Sequence, residues 1–483
     1  MDNQDLTQKY FDTKVQYLKY RALRQVAKYA WEGVLTQKVL DIPKEIVSGK
    51  KATMRCCVYK ERAIMAERVK MAMGGNPENP NMVEVIDIAC DDCPSGGYEV
   101  TSACRGCLAH RCEQACKKGA ITFDQNQKAH IDKSKCVECG LCAKVCPYSA
   151  ISNLKRPCEK SCKVKAISMR EDKAACIDND KCIGCGACVY QCPFGAITEK
   201  SFILDVIALL KDSMENKTTR VYAVVAPSIA SQFVRVPLGK VVAGLKKLGF
   251  FAVVEAALGA DMVARDEAGE LLEKDFLMSS CCPSFVRYVE RQFPNLAAHL
   301  SAQLSPMARI AEHIKKNDSA AKVVFVGPCI SKKEEALRPE VRPWVDNVIT
   351  FEELQALFDS RDIELAALAE DSLDNASYFG RIFARSGGLT EAVRQALREK
   401  GVDESSLNPC VCDGIEQCRV ALLKASKGVL PNNFVEGMAC VGGCIGGPGC
   451  LTHGEKNRAD VDKYGREAKA KTIADAIDAE EIE

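Results

Sequence analysis

Between residues 136 and 193 the chain repeats one cysteine rhythm: Cys136, Cys139, Cys142 and Cys146-Pro147 spell CxxCxxCxxxCP, and Cys182, Cys185, Cys188 and Cys192-Pro193 spell it again. Two-residue gaps turn three thiolates toward one 4Fe-4S cube, while the fourth cysteine, set before proline, serves a neighbouring cube; structural zinc sites do not chain three such steps. The 28 cysteines of this 483-residue chain therefore suit metal ligation better than a disulfide framework, which implies a reducing compartment. The length allows two or three domains with buried cores. A net charge of +1 gives no case for nucleic acid or an acidic membrane surface. The N-terminus lacks a signal-like apolar core and a twin arginine, and no stretch approaches a membrane span, so a cytoplasmic protein is expected. Export alongside a partner that carries the signal is the alternative.

Cys104, Cys107, Cys112 and Cys116 form a looser variant that completes a pair with the 136–146 motif. The usual cross-ligation puts Cys104, Cys107, Cys112 and Cys146 on one cube and Cys136, Cys139, Cys142 and Cys116 on the next. A third half-unit keeps only Cys158 and Cys162. Cys162 closes the cube begun by Cys182, Cys185 and Cys188, which makes three. A fourth needs Cys158, Cys192 and two more sulfurs, for which Cys90 and Cys93 are candidates, Cys176 is a rival, and buried unligated thiols are the plain alternative. The phrases Lys-Gly-Ala-Ile (118–121), Tyr-Ser-Ala-Ile (148–151), Val-Lys-Ala-Ile (164–167) and Phe-Gly-Ala-Ile (194–197) recur after the cysteine runs. They resemble the half-unit of bacterial ferredoxins and imply two ferredoxin-like folds in tandem.

The expected organisation is a helical N-terminal extension (1–85), an α+β relay region of ferredoxin-like 4Fe-4S domains (86–200), an α/β catalytic domain (201–455) and a tail (456–483), whose residues 468–483 read as a short acidic helix or frayed end. Leu23, Val26, Ala27, Ala30 and Val34 follow a helical period in the extension, which either packs on the rest or docks a partner. After 200, the apolar runs Val221–Val225, Phe251–Val254, Val323–Val326 and Asn347–Ile349 predict buried parallel strands, with amphipathic helices at Leu238–Leu248 and Leu389–Leu397 between them.

Three further motifs stand in this half: Ser-Ser-Cys-Cys-Pro at 279–283, Gly-Pro-Cys-Ile-Ser-Lys-Lys-Glu at 327–334, and Glu-Gly-Met-Ala-Cys-Val-Gly-Gly-Cys-Ile-Gly-Gly-Pro-Gly-Cys at 436–450. In the last, two cysteines four apart sit on a backbone almost free of side chains, a shape suited to a bulky metal cofactor. In this order the motifs resemble the catalytic domain of FeFe hydrogenases, and the likeness spans roughly residues 100–455. It implies two lobes with parallel sheets around an H-cluster, a 4Fe-4S cube bridged to a two-iron unit with CO, cyanide and azadithiolate. Cys282, Cys329, Cys440 and Cys444 would hold the cube, Cys444 bridging to the two irons.

The resemblance also implies that Cys281 exchanges protons with the bridgehead amine of the dithiolate, and that Cys281, Glu267, Ser301 and Glu270 relay them to solvent; solvated surface carboxylates are the plain reading of the two glutamates. Lys332 and the loop Ala226-Pro227-Ser228 would reach the cyanides, and Met438 would pack near the bridging carbonyl. The implied reaction is reversible hydrogen oxidation and proton reduction, with a ferredoxin-like electron carrier and maturation proteins as partners. Gly327 and Met307 stand where the best-known members carry methionine and glutamine, and the Gly-Gly-Pro-Gly-Cys ending replaces their four-glycine run, features resembling the branch called group B. A non-catalytic relative of the Narf type and a hydrogen sensor are the rivals. Cys281, Lys332 and Met438 argue against the first, and the short stretch after 455 against a signalling module. Cys56, Cys57, Cys410, Cys412 and Cys418 lie outside the cluster patterns and read as structural.

Overall fold

The computed structural model describes residues 11–480 apart from 92, 95, 234 and 235. Helix α1 (Lys14–Glu32) begins at Thr13, whose side chain accepts the Gln16 N–H in a capping box, and ends at Gly33 with φ 74°. Its Leu23, Val26 and Ala27 are buried, while Ala30 and Val34 are half-buried. Lys19 on this helix is bonded to both Glu199 and Glu352, and so ties the extension to the relay region and to the catalytic half at once. Helix α2 (Val58–Ala72) follows, capped by the Cys57 sulfur.

The relay region is nested and not in tandem. Strand Tyr98–Val100 pairs antiparallel with Ile151–Asn153, and Ile121–Phe123 with Ala129–Ile131, closing one ferredoxin-like module within 98–153. The other is built from Ile167–Met169 paired with Ala175–Ile177 and from Val83–Val85 paired with Ile197–Glu199. Its first strand precedes the whole inserted module, so the boundary expected at residue 85 falls inside it. A three-residue strand carries no periodicity that betrays so distant a partner.

Seven strands build the catalytic half: β1 (Val221–Val225), β2 (Ala252–Glu255), β3 (Leu277–Met278), β4 (Lys322–Gly327), β5 (Asn347–Thr350), β6 (Pro409–Asp413) and β7 (Phe434–Met438). One parallel sheet has the order β2-β1-β4-β5, the other β3-β7-β6. The first four apolar runs form the larger sheet as expected, within a residue or two. The strands at 277, 409 and 434 come from shorter or cysteine-interrupted stretches that the apolar pattern did not mark. Helices α3 (Ala256–Glu273), α4 (Pro283–Gln292) and α5 (Phe351–Ser360) pack between and around the sheets. Among the described residues no helix is long and apolar enough to cross a membrane.

The expected tail is two packed helices, α6 (Lys456–Arg466) and α7 (Ile473–Glu480). Val461, Ile473 and Ile477 are buried. Tyr464 donates its hydroxyl to Glu255, which also receives a bidentate pair from Arg381 at 2.8 and 2.9 Å. Both partners of this ion pair are 2% exposed, so removing one strands the other in a poorly solvating interior. Arg381→Ala should cost about 3–5 kcal/mol, read as a lower guanidinium midpoint by circular dichroism. Arg265→Ala, at a 3.8 Å surface pair, should leave the midpoint nearly unchanged.

Candidate metal centre

The two sheets share no strand, yet their carboxyl edges face one centre. In the larger sheet β1 and β4 are neighbours whose outer connections run in opposite directions, the switch point where open α/β sheets bind ligands. Ala226-Pro227 follows β1 there, and Pro328-Cys329 follows β4. From the smaller sheet, β3 runs into Cys281-Cys282 and β7 into Cys440 and Cys444. Ser279 accepts the Gly437 N–H at 3.1 Å and holds those two strand ends in register. Across the gap, the Lys332 ammonium donates to the Cys281 carbonyl at 3.3 Å and pairs with Glu335 at 2.7 Å. Burial lowers the affinity of Lys332 for its proton, but Glu335 and the nearby sulfurs outweigh it, so its pKa is raised and the ammonium stays charged.

Cys282, Cys329, Cys440 and Cys444 lie within electrostatic reach of one another. Burial pushes the Cys444 thiol up to about 12, with Cys329 and Cys282 adding to it, and raises Cys282 and Cys440 as well. Such thiols ionise when a metal core supplies positive charge. The loop between the last two ligands crosses the backbone of Arg385 closely: a Cβ on Gly443, at φ 85°, would meet the Ser386 nitrogen at 2.7 Å.

An apolar cavity adjoins Cys282, Cys329 and Cys444, lined among others by Pro227, Cys281, Met307, Phe325, Lys332 and Met438. Phe325 was not foreseen. A side chain at Gly327 would lie 2.5 Å from the Phe325 ring and 3.2 Å from Ala226, so the phenyl ring occupies the space that a larger residue at 327 would need. Ser228 is fully buried, and its hydroxyl has no partner among the described residues. The donor set thus fits an H-cluster: four thiols for a cube, an apolar chamber beside them bordered by a fixed ammonium, and a spare hydroxyl on Ser228, next to the lining residue Pro227.

Cys281 is buried and faces Glu267, the charged group that most affects it after burial itself. Glu267 is fully buried on α3, where the Ser280 backbone and the Ser301 hydroxyl lie close enough to act on its carboxyl. Burial raises its pKa to about 8. Next along α3, Glu270 accepts from the Ser301 hydroxyl at 2.9 Å, from the Ala302 N–H at 3.1 Å and from Lys274 at 2.5 Å. Burial raises its pKa, but these donors outweigh it and hold the carboxyl below the usual range. The structure therefore brings Cys281, Glu267, Ser301 and Glu270 together in that order, ending at the half-exposed Lys274. Glu335 and Glu436 are buried acids that sequence reasoning missed. Glu335 is readable as the i+3 partner of Lys332, whereas Glu436 fixes the loop at Gly387 and Thr390, bonds that no local pattern signals.

In the relay region Cys104, Cys107, Cys112 and Cys146 line one cavity. Cys142 lies near Cys136 and Cys116, with Cys139 in the same loop, and Cys188 near Cys182, Cys185 and Cys162. Cys185 is also within reach of Cys282 and Cys440, which puts this last group beside the catalytic one. Cys158 lies near Cys192 and Cys90. Cys56 and Cys57 are exposed. Cys410 and Cys412 stand 3.9 Å apart, and Cys418 bonds the Met438 carbonyl.

Converging cysteines from two sheet edges, fed by thiol-rich modules, define an iron–sulfur oxidoreductase. The comparisons agree. Residues 219–448 match the family "Iron only hydrogenase large subunit, C-terminal domain", residues 103–150 a 4Fe-4S dicluster domain and residues 175–198 a 4Fe-4S binding domain. Residues 219–448 thus match the C-terminal domain of iron-only hydrogenase large subunits, and 4Fe-4S modules precede them. It is 29% identical to the periplasmic Fe hydrogenase large subunit of Nitratidesulfovibrio vulgaris, over 68% of this chain and 87% of that one. It is 30% identical to iron hydrogenase 1 of Clostridium pasteurianum, over 46% and 47%. It is also 27% identical to the human nuclear prelamin A recognition factor, over 42% and 57%. The match thus spans most of the first relative and about half of the other two. A solved FeFe-hydrogenase from Chlamydomonas reinhardtii aligns with TM-score 0.48 and 21% identity, over 58% of this chain and 93% of that one.

The raised pKa of Glu267 has a consequence for stability. The folded chain keeps a proton that the unfolded chain releases above pH 4.5, so stability falls as the pH rises from about 4.5 toward 8. Glu267→Gln, neutral throughout, should flatten that slope in urea midpoints taken across this range. Equal slopes for parent and variant would place the proton elsewhere.

Proposed function

We propose that the chain catalyses reversible oxidation of molecular hydrogen and reduction of protons. The observation that carries this reading is the apolar chamber beside four convergent cysteines, with the Cys281 thiol facing Glu267 at its wall. A cube that only passed electrons would need the cysteines but not the chamber, and the same point weighs against a non-catalytic relative. When bound, the H-cluster supplies the iron at which hydrogen is split or formed. Cys282, Cys329, Cys440 and Cys444 hold its cube, Lys332 and Ser228 offer donors to its cyanides, and Pro227, Met307, Phe325 and Met438 keep water out.

Cys281 passes protons between the chamber and Glu267. Ser301 then links Glu267 to Glu270, where Lys274 opens the route to solvent. The order of proton affinity favours delivery inward, from the outer acid to the buried one, which holds its proton more tightly. Electrons pass through the cube of Cys182, Cys185, Cys188 and Cys162 and the two cubes of the inserted module to a ferredoxin-like carrier. Maturation proteins supply the two-iron unit. So many cysteines given to cluster ligation instead of disulfides suit reducing surroundings, and the cytoplasm meets that need.

Infrared spectroscopy of the matured chain tests the reading: CO and cyanide bands are expected, and their absence after competent maturation overturns it. Cys281→Ala should keep the full iron content while turnover is nearly lost, whereas Cys282→Ala should lose the two-iron unit. Glu267→Gln, Glu270→Gln and Ser301→Ala should each slow turnover at least tenfold, about 1.4 kcal/mol of barrier, with an unchanged infrared spectrum. Near-parental rates in both glutamate variants would send the protons by another route, and the exposed Glu290→Gln serves as the unaffected control.

A further inference from the structure

We propose a fourth accessory 4Fe-4S site, held by Cys90, Cys93, Cys158 and Cys192, which rests on reading the cysteine-rich region as a relay. The matched 4Fe-4S families cover residues 103–150 and 175–198, so Cys90, Cys93 and Cys158 lie outside them. The nested topology supplies the argument, because the two modules correspond position by position. In the inserted module the residue after the first strand, Thr101, donates its N–H to the Ala150 carbonyl at 2.7 Å. In the other, Ile86 donates to the Ala196 carbonyl at 2.6 Å. Three and six residues past Thr101 come Cys104 and Cys107; four and seven past Ile86 come Cys90 and Cys93. Next, Cys112 lies on the short helix Arg111–Gln114 and Cys158 on Pro157–Ser161. Each is followed four residues later by a cysteine whose sulfur accepts an alanine N–H, Cys116 from Ala120 at 3.3 Å and Cys162 from Ala166 at 3.2 Å. The closing cysteines match as well, Cys146 accepting from Ala150 at 3.4 Å and Cys192 from Ala196 at 3.3 Å. Cys90, Cys93, Cys158 and Cys192 thus occupy the places of Cys104, Cys107, Cys112 and Cys146.

A second observation points to an anion at this place. Arg156 is 1% exposed, and among the described residues no carboxylate pairs with it. Its Nε donates to the Pro94 carbonyl at 3.0 Å, its Nη1 reaches the Cys90 sulfur at 3.8 Å, and its Nη2 has no partner among the described residues. A guanidinium buried without a counter-ion is costly, and a cube bound by four thiolates carries the negative charge that would offset it. Cys90 also accepts the Ala175 N–H at 3.3 Å. The rival Cys176 is exposed on the outer side of its strand. Cys90-to-Pro94 and Arg156 belong to the two crossings that join the modules, so this cube stands between the one near the H-cluster and the two in the inserted module, and closes a gap in the electron path.

Iron analysis of the full chain, produced without maturases so that the H-cluster holds its cube alone, decides the matter. The parent should contain about twenty irons, in five cubes. Cys90→Ala combined with Cys93→Ala should lower this to about sixteen, and Cys176→Ala should not change it. A parent count near sixteen overturns the proposal without reference to any variant, as does a double variant that keeps the parental iron. If the relay reading itself were wrong, the parent would hold about four irons, and Cys182→Ala with Cys185→Ala would remove none.

Discussion

Buried sulfurs that crowd one point repel one another as soon as they ionise, and a cationic core is what lets them stay. The catalytic half is organised around that fact. Its convergent cysteines come from strand ends of two sheets that share no strand, so neither sheet alone brings them together. The sheets are joined where the sulfurs meet, through the Lys332 ammonium on the Cys281 carbonyl, while Ser279 ties β3 to β7 within the smaller sheet. Positive charge is placed sparingly and next to sulfur: Lys332 at the catalytic centre, Arg156 in the relay.

The acids follow the opposite logic. Glu267 sits where a negative charge is poorly tolerated, while Glu270 is held ionised by Lys274 and two hydrogen-bond donors. Two carboxyls of one helix, three residues apart, thereby differ in proton affinity because one is dry and the other reaches solvent. Glu335 and Glu353 are buried too, but each is paired with a lysine, Lys332 and Lys333, and these pairs serve to brace the fold.

Much of the metal chemistry was legible in the chain because cysteine spacing is itself geometry: CxxC steps point the same way in any context. The larger sheet was legible for a similar reason, since its strands are continuous apolar runs. What escaped notice depends on pairing across distance. Val83–Val85 is too short to announce itself, and its partner lies at the other end of the cysteine-rich region. The strands at Pro409–Asp413 and Phe434–Met438 contain cysteine, aspartate and glutamate that break the apolar pattern. Phe325 in the chamber, Arg156 beside Cys90 and the packing of α6 and α7 on the catalytic half are likewise products of tertiary contact, without a local signature.

Nesting one module inside another also orders events during synthesis. Residues 98–153 contain both halves of their own sheet, and the segment's ends are already joined by the Leu154 N–H on the Gly97 carbonyl at 2.8 Å. That module can close as soon as it clears the ribosome. Val83–Val85, made earlier, must wait for Ile197–Glu199 to emerge before it has a partner. The inserted module can therefore close before the one that encloses it, and the nascent chain carries Cys90 and Cys93 as an open dithiol throughout that interval, within reach of whatever delivers iron and sulfide.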